Sequence, residues 1–215
     1  MRLLTLIAFT VSVLIPVQAQ AQAQDQALAT SEAPLPRFED GELHPSLLVD
    51  GKPFLMLGAQ PNNSSNYPAM LDEVWPTLKA INANTVLMPV AWEQVEPEEG
   101  RFDFSFVDVL IEQARERDMR IVLLWYGTWK NTGPSYVPAW VKHDTQRFAR
   151  MRKADGSTHL VLSPHGEATM QADARAFANL MRHIAKVDPH HTVIMVQVEN
   201  ESGSWGLDRD HSPAA

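Results

Sequence analysis

Runs of three to four consecutive apolar residues recur along the chain, at residues 86–88, 121–124 and 193–196. They are too short for helices, and they lack the alternation with polar residues that is typical of a half-exposed strand. Strands of a parallel sheet with helices on both faces have this composition, because neither face meets water. The runs predict buried strands over residues 85–90, 120–125 and 193–198.

Segments with apolar residues at helical spacing separate these runs. In one of them Leu110, Ile111 and Ala114 share a helix face, and charged residues occupy the opposite face. Upstream, an Asp-Gly pair at positions 50–51 predicts a β-hairpin that leads into another buried strand over residues 54–58. The predicted helices cover residues 69–81, 106–117 and 172–185.

Strands and helices that alternate along a chain form either a barrel or a doubly wound sheet. A dinucleotide-binding sheet needs Gly-x-Gly-x-x-Gly after its first strand, whereas residues 58–63 read Gly-Ala-Gln-Pro-Asn-Asn. Polar and aromatic residues instead gather just after the predicted strands, as they do at the catalytic face of a (β/α)8 barrel. A complete barrel takes about 250 residues. We therefore expect residues 41–215 to form a partial TIM barrel of the α/β class, with about the first four βα units.

The first 40 residues lack the pattern of a folded domain. Arg2 precedes an apolar run over residues 3–17, and overlapping small-x-small sites follow up to Ala23. This arrangement predicts a secretory signal peptide over residues 1–23 and export to the periplasm or the cell exterior, with an uncleaved anchor as the alternative. Residues 24–40, rich in Ala, Gln and Pro, predict a flexible leader. No later segment approaches transmembrane length, so we expect no membrane contact after cleavage.

Composition narrows the function classes. The 215 residues include 18 basic and 26 acidic ones, and a net charge of −8 argues against a nucleic-acid partner. The absence of cysteine excludes thiolate nucleophiles and iron–sulfur clusters within this sequence. The eight histidines show no His-Glu-x-x-His spacing, and His190-His191 follows Asp-Pro in a predicted surface loop. We expect neither a metal nor another cofactor.

The last predicted strand runs directly into Glu199-Asn200-Glu201 and a loop that contains Gly203. A carboxyl group at the carboxyl end of a strand, in apolar surroundings that raise its pKa, is suited to general acid catalysis. The alternative is a helix N-terminus, where Asn and Glu side chains cap exposed N–H groups. The spacing by itself leaves both interpretations open.

Aromatic and acidic residues after the other strands are further candidates. Each of four tryptophans follows a strand, where its ring can stack on a sugar or pack in the core: Trp92, Trp125, Trp129 and Trp205. Acidic residues 93, 96, 98 and 99 resemble a catalytic cluster. We expect residues 96–100 instead to form a solvated turn that lets Phe102 and Phe104 pack.

Four segments of the chain occur in the order found in one group of enzymes. They are Asn84-Thr85-Val86, Trp92-x-x-x-Glu96-Pro97-x-x-Gly100-x-Phe102-Asp103-Phe104, Pro138-Ala139-Trp140 and Val196-Gln197-Val198-Glu199-Asn200-Glu201-x-Gly203. Together they resemble the N-terminal half of the catalytic barrel of glycoside hydrolase family 35 β-galactosidases. The first two segments also resemble the related family 42. The resemblance covers about residues 47–206 and implies retaining hydrolysis of terminal β-glycosides, with a carbohydrate as the substrate.

The resemblance also implies roles for individual residues. Glu201 matches the general acid/base, and Asn200 matches the residue that hydrogen-bonds the sugar 2-hydroxyl. Glu199 matches a motif position for which we expect a supporting or substrate-contact role, and we expect Trp92, Trp129 and Trp205 to contact substrate. The family nucleophile is a glutamate on strand seven, so no residue of this chain receives that role, and we expect the chain alone to be inactive.

Two segments depart from the family pattern. Residues 58–66 and 125–131 replace runs that hold galactose hydroxyls in family 35. The sugar specificity therefore stays open, with an arabinoside or another β-glycoside as an alternative, and so does a non-catalytic carbohydrate-binding module. Without the other half of a barrel, we expect incomplete burial of six apolar strand residues: Val86, Met88, Val122, Leu124, Ile194 and Val196.

Overall fold

The alternating strands and helices of the sequence are present in a computed structural model, which describes residues 33–41, 44–130, 133–203 and 206–215. In chain order the strands are β1 (Arg37–Glu39), β2 (Ser46–Val49), β3 (Lys52–Pro53), β4 (Gly58–Ala59), β5 (Thr85–Ala91), β6 (Arg120–Tyr126), β7 (Arg150–Arg152), β8 (Thr158–Leu162) and β9 (Val193–Gln197). The helices are α1 (Pro68–Ala80), α2 (Trp92–Val95), α3 (Ser105–Glu116), α4 (Ala139–His143) and α5 (Glu167–Val187). The predicted signal peptide and the start of the predicted leader lie outside these ranges. None of the helices described is long and apolar enough to cross a bilayer.

A four-stranded parallel sheet has the order β4-β5-β6-β9. Helices α1, α3 and α5 each connect one strand to the next, where the apolar periodicity predicted helices. Sequential parallel strands that lie side by side, each followed by a helix, are the arrangement of a (β/α)8 barrel. The α/β class and the partial barrel predicted from the sequence agree with this topology.

Apolar side chains pack on both faces of the sheet. On the helix side, Val86 and Met88 of β5 are fully buried against the three long helices. On the other face, Val122, Leu124 and Ile194 are buried in a second cluster with Val49 of β2. The expectation of incomplete burial is therefore wrong for these five strand residues, because helices cover one face and the β2–β3 hairpin contributes cover on the other. Val196 is half-buried.

The amino-terminal segments differ in part from the prediction. The β2–β3 hairpin turns at Asp50 and Gly51, whose φ values of 53° and 72° fit the predicted tight turn. Strand β1 adds to this hairpin within the predicted leader. The predicted buried strand over residues 54–58 is wrong. Strand β4 begins only at Gly58, and Leu55 is 76% exposed, because β4 forms the edge of the sheet with β5 as its neighbour.

An antiparallel hairpin, β7–β8, occupies the long connection between β6 and α5. The carboxyl-terminal residues attach to it through Asp210, which is 3% exposed. Its carboxylate accepts hydrogen bonds from the Arg152 backbone N–H at 2.9 Å and from the Ser163 hydroxyl at 2.5 Å. The sequence pattern does not reveal this hairpin, because its strands are short and their apolar residues form no clear alternation.

Candidate functional site

The loop after β6 contacts the segment that follows β9. The backbone N–H of Trp129 donates to Oε1 of Glu199 at 3.1 Å, and the Lys130 Nζ lies 3.1 Å from Oε1 of Glu201. Parallel strands end at the same edge of a sheet, which brings residues 70 or 71 positions apart into contact. The structure thus gathers the predicted acidic residues and the predicted Trp129 at one edge.

Glu201 stands in an ion pair at this edge. Its side chain is 50% exposed, whereas that of Lys130 is 5% exposed, with Nζ 5.1 Å from the centre of the Tyr126 ring. Glu201 has a left-handed backbone with φ of 52°. No helix follows β9 in residues 198–203 or 206–215, so the helix-capping alternative for Asn200 and Glu201 finds no support there.

Lys130 is a site residue that the sequence reasoning missed. A signal was present, because Lys130 ends a run of aromatic residues directly after a buried strand. The phenol of neighbouring Tyr126 donates to Oδ1 of Asn63 at 2.7 Å and accepts from the Gln60 amide at 3.4 Å. Burial, followed by the nearby Tyr136 and Glu201, raises the pKa of Tyr126 to about 12, so it remains a neutral hydrogen-bonding group.

Two carboxyl groups lie beside the loop, that of Asp173 buried and that of Glu199 partly buried. Asp173 of α5 accepts hydrogen bonds from the Trp125 indole at 2.7 Å and from the Thr128 backbone and hydroxyl at 2.7 and 2.5 Å. Glu199 and Asp173 line the same cavity, and their carboxyl groups interact. Burial first, and then the charge of Asp173, raises the pKa of Glu199 from 4.5 to about 8. Asp173 gave no signal in the sequence, since it resembles any polar residue of an amphipathic helix.

Three buried polar atoms near the strand ends have no hydrogen-bond partner among the residues that the structure describes. They are Oδ1 of Asn200, Nε2 of Gln197 and Nε1 of Trp129. Buried polar groups are normally paired, and an orphan of this kind marks a place for a water or a ligand. Asn200 and Trp129, both predicted to contact substrate, therefore have a free hydrogen-bonding atom at the site.

The other predicted aromatic contacts differ in placement. Trp92 is fully buried, with its ring edge-on to Trp140 at 5.7 Å, which favours the alternative of core packing over contact with a sugar. Trp125 is 1% exposed and also belongs to the core. Trp129 is half-buried and lines a cavity of about 290 Å³ beside Glu199. Trp205 lies outside the described residues.

Glu96 corrects the expectation of a solvated turn. The side chain is fully buried, and its oxygens accept from the Trp92 indole at 3.0 Å, the Gly100 backbone at 2.8 Å and Arg175 at 2.8 Å. The neighbouring Glu98 and Glu99 fit the expectation, since their side chains are 72% and 41% exposed and each pairs with an arginine. The spacing from Trp92 to Gly100 thus lets Glu96 fix the turn after β5.

A sequence profile of β-galactosidases, that of glycoside hydrolase family 42, matches residues 50–215. Among curated proteins, the chain is 27% identical over 185 residues to "Beta-galactosidase-1-like protein 3" of Homo sapiens, covering 80% of this chain and 25% of that protein. It is 30% identical over 166 residues to a β-galactosidase of Xanthomonas manihotis, covering 74% and 25%. The chain therefore spans about a quarter of the length of these two relatives.

Known structures resemble the fold. The chain matches a catalytic mutant of a family 42 β-galactosidase from G. stearothermophilus with a TM-score of 0.56 and 20% identity, over 73% of this chain and 22% of that one. It matches a cold-adapted β-galactosidase from Rahnella sp. R3 with a TM-score of 0.54 and 20% identity, over 74% and 22%. Both are TIM-barrel glycosidases, which agrees with a partial barrel.

Proposed function

This chain belongs to the β-galactosidase family of glycoside hydrolases, and we propose that the protein containing it hydrolyses terminal β-glycosides with retention, as a β-galactosidase-like enzyme. The observation that carries the proposal is the position of Glu201, half-exposed at the carboxyl edge of the sheet and paired with Lys130. The order of the four motifs, which resembles family 35 as well as family 42, supports the same assignment. A β-galactoside is the first substrate to test.

Glu201 acts in this proposal as the general acid/base. In the first step its carboxyl proton passes to the glycosidic oxygen as that oxygen leaves the anomeric carbon, to which a second carboxylate bonds. In the second step the Glu201 carboxylate takes a proton from the water that displaces this carboxylate. The resemblance places the nucleophile on strand seven, about 5–5.5 Å from the acid/base in a retaining enzyme.

The neighbouring groups supply contacts to the sugar. Oδ1 of Asn200, which has no partner among the described residues, is suited to accept a hydrogen bond from the sugar 2-hydroxyl, a contact that strengthens in the transition state. Trp129 offers an indole N–H without a partner in the described structure. Trp205 remains a proposed contact from its sequence position alone. Lys130 forms an ion pair with the carboxylate of Glu201.

Replacement of Glu201 by Gln in the full-length protein tests the assignment. The amide has nearly the same volume but no proton to transfer, so hydrolysis of a substrate with a poor leaving group should fall by about 10²–10⁴-fold. A substrate with an activated leaving group should keep more of its rate of glycosylation, because it needs little protonation. Glu116→Gln, an exposed carboxylate on α3, is the matched control. Unchanged hydrolysis of the natural substrate by Glu201→Gln would overturn the assignment.

A panel of nitrophenyl β-glycosides determines the sugar. The replaced segments at residues 58–66 and 125–131 include Asn63 and Tyr126, whose hydrogen bond joins the segment after β4 to the end of β6. Fastest hydrolysis of a β-galactoside would support galactoside specificity, in keeping with the family. Fastest hydrolysis of an arabinoside or another β-glycoside would indicate that the replaced segments change the sugar specificity. Binding of sugar without hydrolysis by the full-length protein would instead favour a carbohydrate-binding role.

A further inference from the structure

We propose that Glu199 and Asp173 form a positioning pair, in which the Glu199 carboxyl group donates its proton in a hydrogen bond to the Asp173 carboxylate. The pair joins three parts of the fold, namely α5, the loop after β6 and the segment that carries Glu201. Its role is to hold Glu201 in place rather than to touch substrate. This inference rests on the proposed function of Glu201 as the general acid/base.

The hydrogen bonds of Asp173 identify it as the ionised member. Oδ1 accepts from the Trp125 indole at 2.7 Å, and Oδ2 accepts from the Thr128 backbone and hydroxyl at 2.7 and 2.5 Å. Indole and backbone N–H groups only donate, so they favour a carboxylate that only accepts. Gly127 leaves room for these bonds, because a Cβ there would lie 2.5 Å from Oδ2 of Asp173.

Glu199 must then supply the proton of the pair. Its partly buried side chain lines the same cavity as Asp173 and interacts with that carboxyl group, and two carboxylates so close together do not both stay ionised there. Oε1 accepts from the backbone N–H groups of Trp129 and Asn200 at 3.1 and 3.4 Å, which leaves the other oxygen to carry the proton. Within the described structure, Asp173 is the charged side chain that shifts Glu199. The pKa of about 8 given above agrees with a protonated Glu199 at neutral pH.

The pair is connected to Glu201 in two ways, through the loop after β6 and along the chain from Glu199. Trp129 bonds to Glu199, and the next residue, Lys130, pairs with Glu201. Glu201 has a left-handed backbone, which a non-glycine residue keeps only where its surroundings hold it. Release of Glu199 would therefore free both the loop and the acid/base. Misplacement of a catalytic group by about 1 Å costs on the order of 10²-fold in rate.

The kcat of the full-length protein between pH 5 and about pH 9.5 tests the positioning role, on a substrate with an activated leaving group. For such a substrate the second step limits the rate, and Glu201 acts there as the base, so deprotonation of Glu201 itself gives no alkaline fall. In the wild type, kcat should fall as Glu199 loses its proton near its pKa of about 8. Glu199→Gln keeps a donor toward Asp173 that cannot titrate, so kcat at pH 7 should stay within about threefold and this alkaline fall should disappear. Glu199→Ala loses the donor, and its kcat should fall by roughly 10–100-fold with a smaller change in KM.

If Glu199 were only a structural residue, its replacement by Gln would leave the alkaline fall of kcat unchanged. If Glu199→Gln loses as much kcat as Glu199→Ala, or keeps the wild-type alkaline limb, the proposal is wrong. Asp173→Asn offers a second variant, in which removal of the charge beside Glu199 should lower the pKa of that carboxyl.

Direct titration separates this inference from the proposed function. Carbon-13 NMR of glutamate-labelled full-length protein, with the Glu199 signal assigned through Glu199→Gln, should show a protonated carboxyl at pH 7. Titration near the ordinary value of 4.5 would overturn the pair even in an active enzyme. A wild type that hydrolyses no glycoside of the panel would overturn the proposed function, while the NMR titration would still decide whether the pair exists.

Discussion

Glu96 offers a test of how the turn after β5 is held. The carboxylate is fully buried and has three donors around it: Oε2 accepts from the Trp92 indole, and Oε1 accepts from the Gly100 backbone and from Arg175. Gly100 has a left-handed φ of 78°, so the turn also depends on a residue without a side chain. Removal of the carboxylate should therefore cost far more stability than a surface glutamate contributes.

The magnitude follows from the partners that each substitution leaves unpaired. Glu96→Ala leaves the buried Trp92 indole without an acceptor, at about 1–3 kcal/mol, and removes the acceptor of the part-buried Gly100 N–H, at about 1 kcal/mol. Arg175 adds less, because its side chain is 40% exposed and water can replace the lost partner. We expect a loss of about 3–4 kcal/mol in the free energy of unfolding. Glu96→Gln keeps one acceptor oxygen but turns an NH2 toward one of the donors, so its cost should be about 1–3 kcal/mol.

Urea unfolding of the full-length protein, followed by tryptophan fluorescence, measures these costs. Glu98→Ala and Glu98→Gln are matched controls two residues away, because the Glu98 side chain is 72% exposed and its ion pair with Arg101 lies on the surface. Both should leave the free energy of unfolding nearly unchanged, because an exposed ion pair contributes little to stability. If Glu96→Ala and Glu98→Ala cost the same, the reasoning from burial and unpaired donors is refuted.

Three other predictions concern Asp210, the signal peptide and the activity of residues 24–215 alone. Burial alone would raise the pKa of Asp210, but hydrogen bonds from Ser163, Arg152 and Ser212 outweigh it and lower the pKa from 3.8 to about 2. The ionised Asp210 therefore contributes fully to stability above pH 3.8, and this contribution is lost as the pH falls through about 2. In Asp210→Asn, the melting temperature should depend less on pH over this window than in the wild type. We predict export with removal of a signal peptide, so that the mature protein begins between residues 20 and 24; N-terminal sequencing that finds Met1 on exported protein would contradict this. Residues 24–215 expressed alone should not hydrolyse nitrophenyl β-galactoside, because retention needs a second carboxyl group; an active, cooperatively melting monomer in light scattering would contradict this.

Local patterns in the sequence determined the main elements. Unbroken apolar runs predicted strands β5, β6 and β9, because a strand that is buried on both faces has apolar residues at consecutive positions. Helical spacing predicted α1, α3 and α5, because a helix that is buried on one side has apolar residues every three to four positions. The Asp-Gly pair predicted the hairpin turn for a similar reason, since only a few residues tolerate positive φ. The position of Glu201 just after a strand could also be predicted from the apolar run that precedes it.

Only the tertiary structure decided which groups meet. Lys130 pairs with Glu201 across 71 positions, and Asp173 on a helix receives bonds from the loop after β6. Nothing in the local pattern separates Glu96, which is fully buried, from Glu98, which is mostly exposed, because both are glutamates of one turn. Burial and charge pairing depend on what packs against a residue from distant parts of the chain, and that information appears only once the sheet edges and helices are assembled.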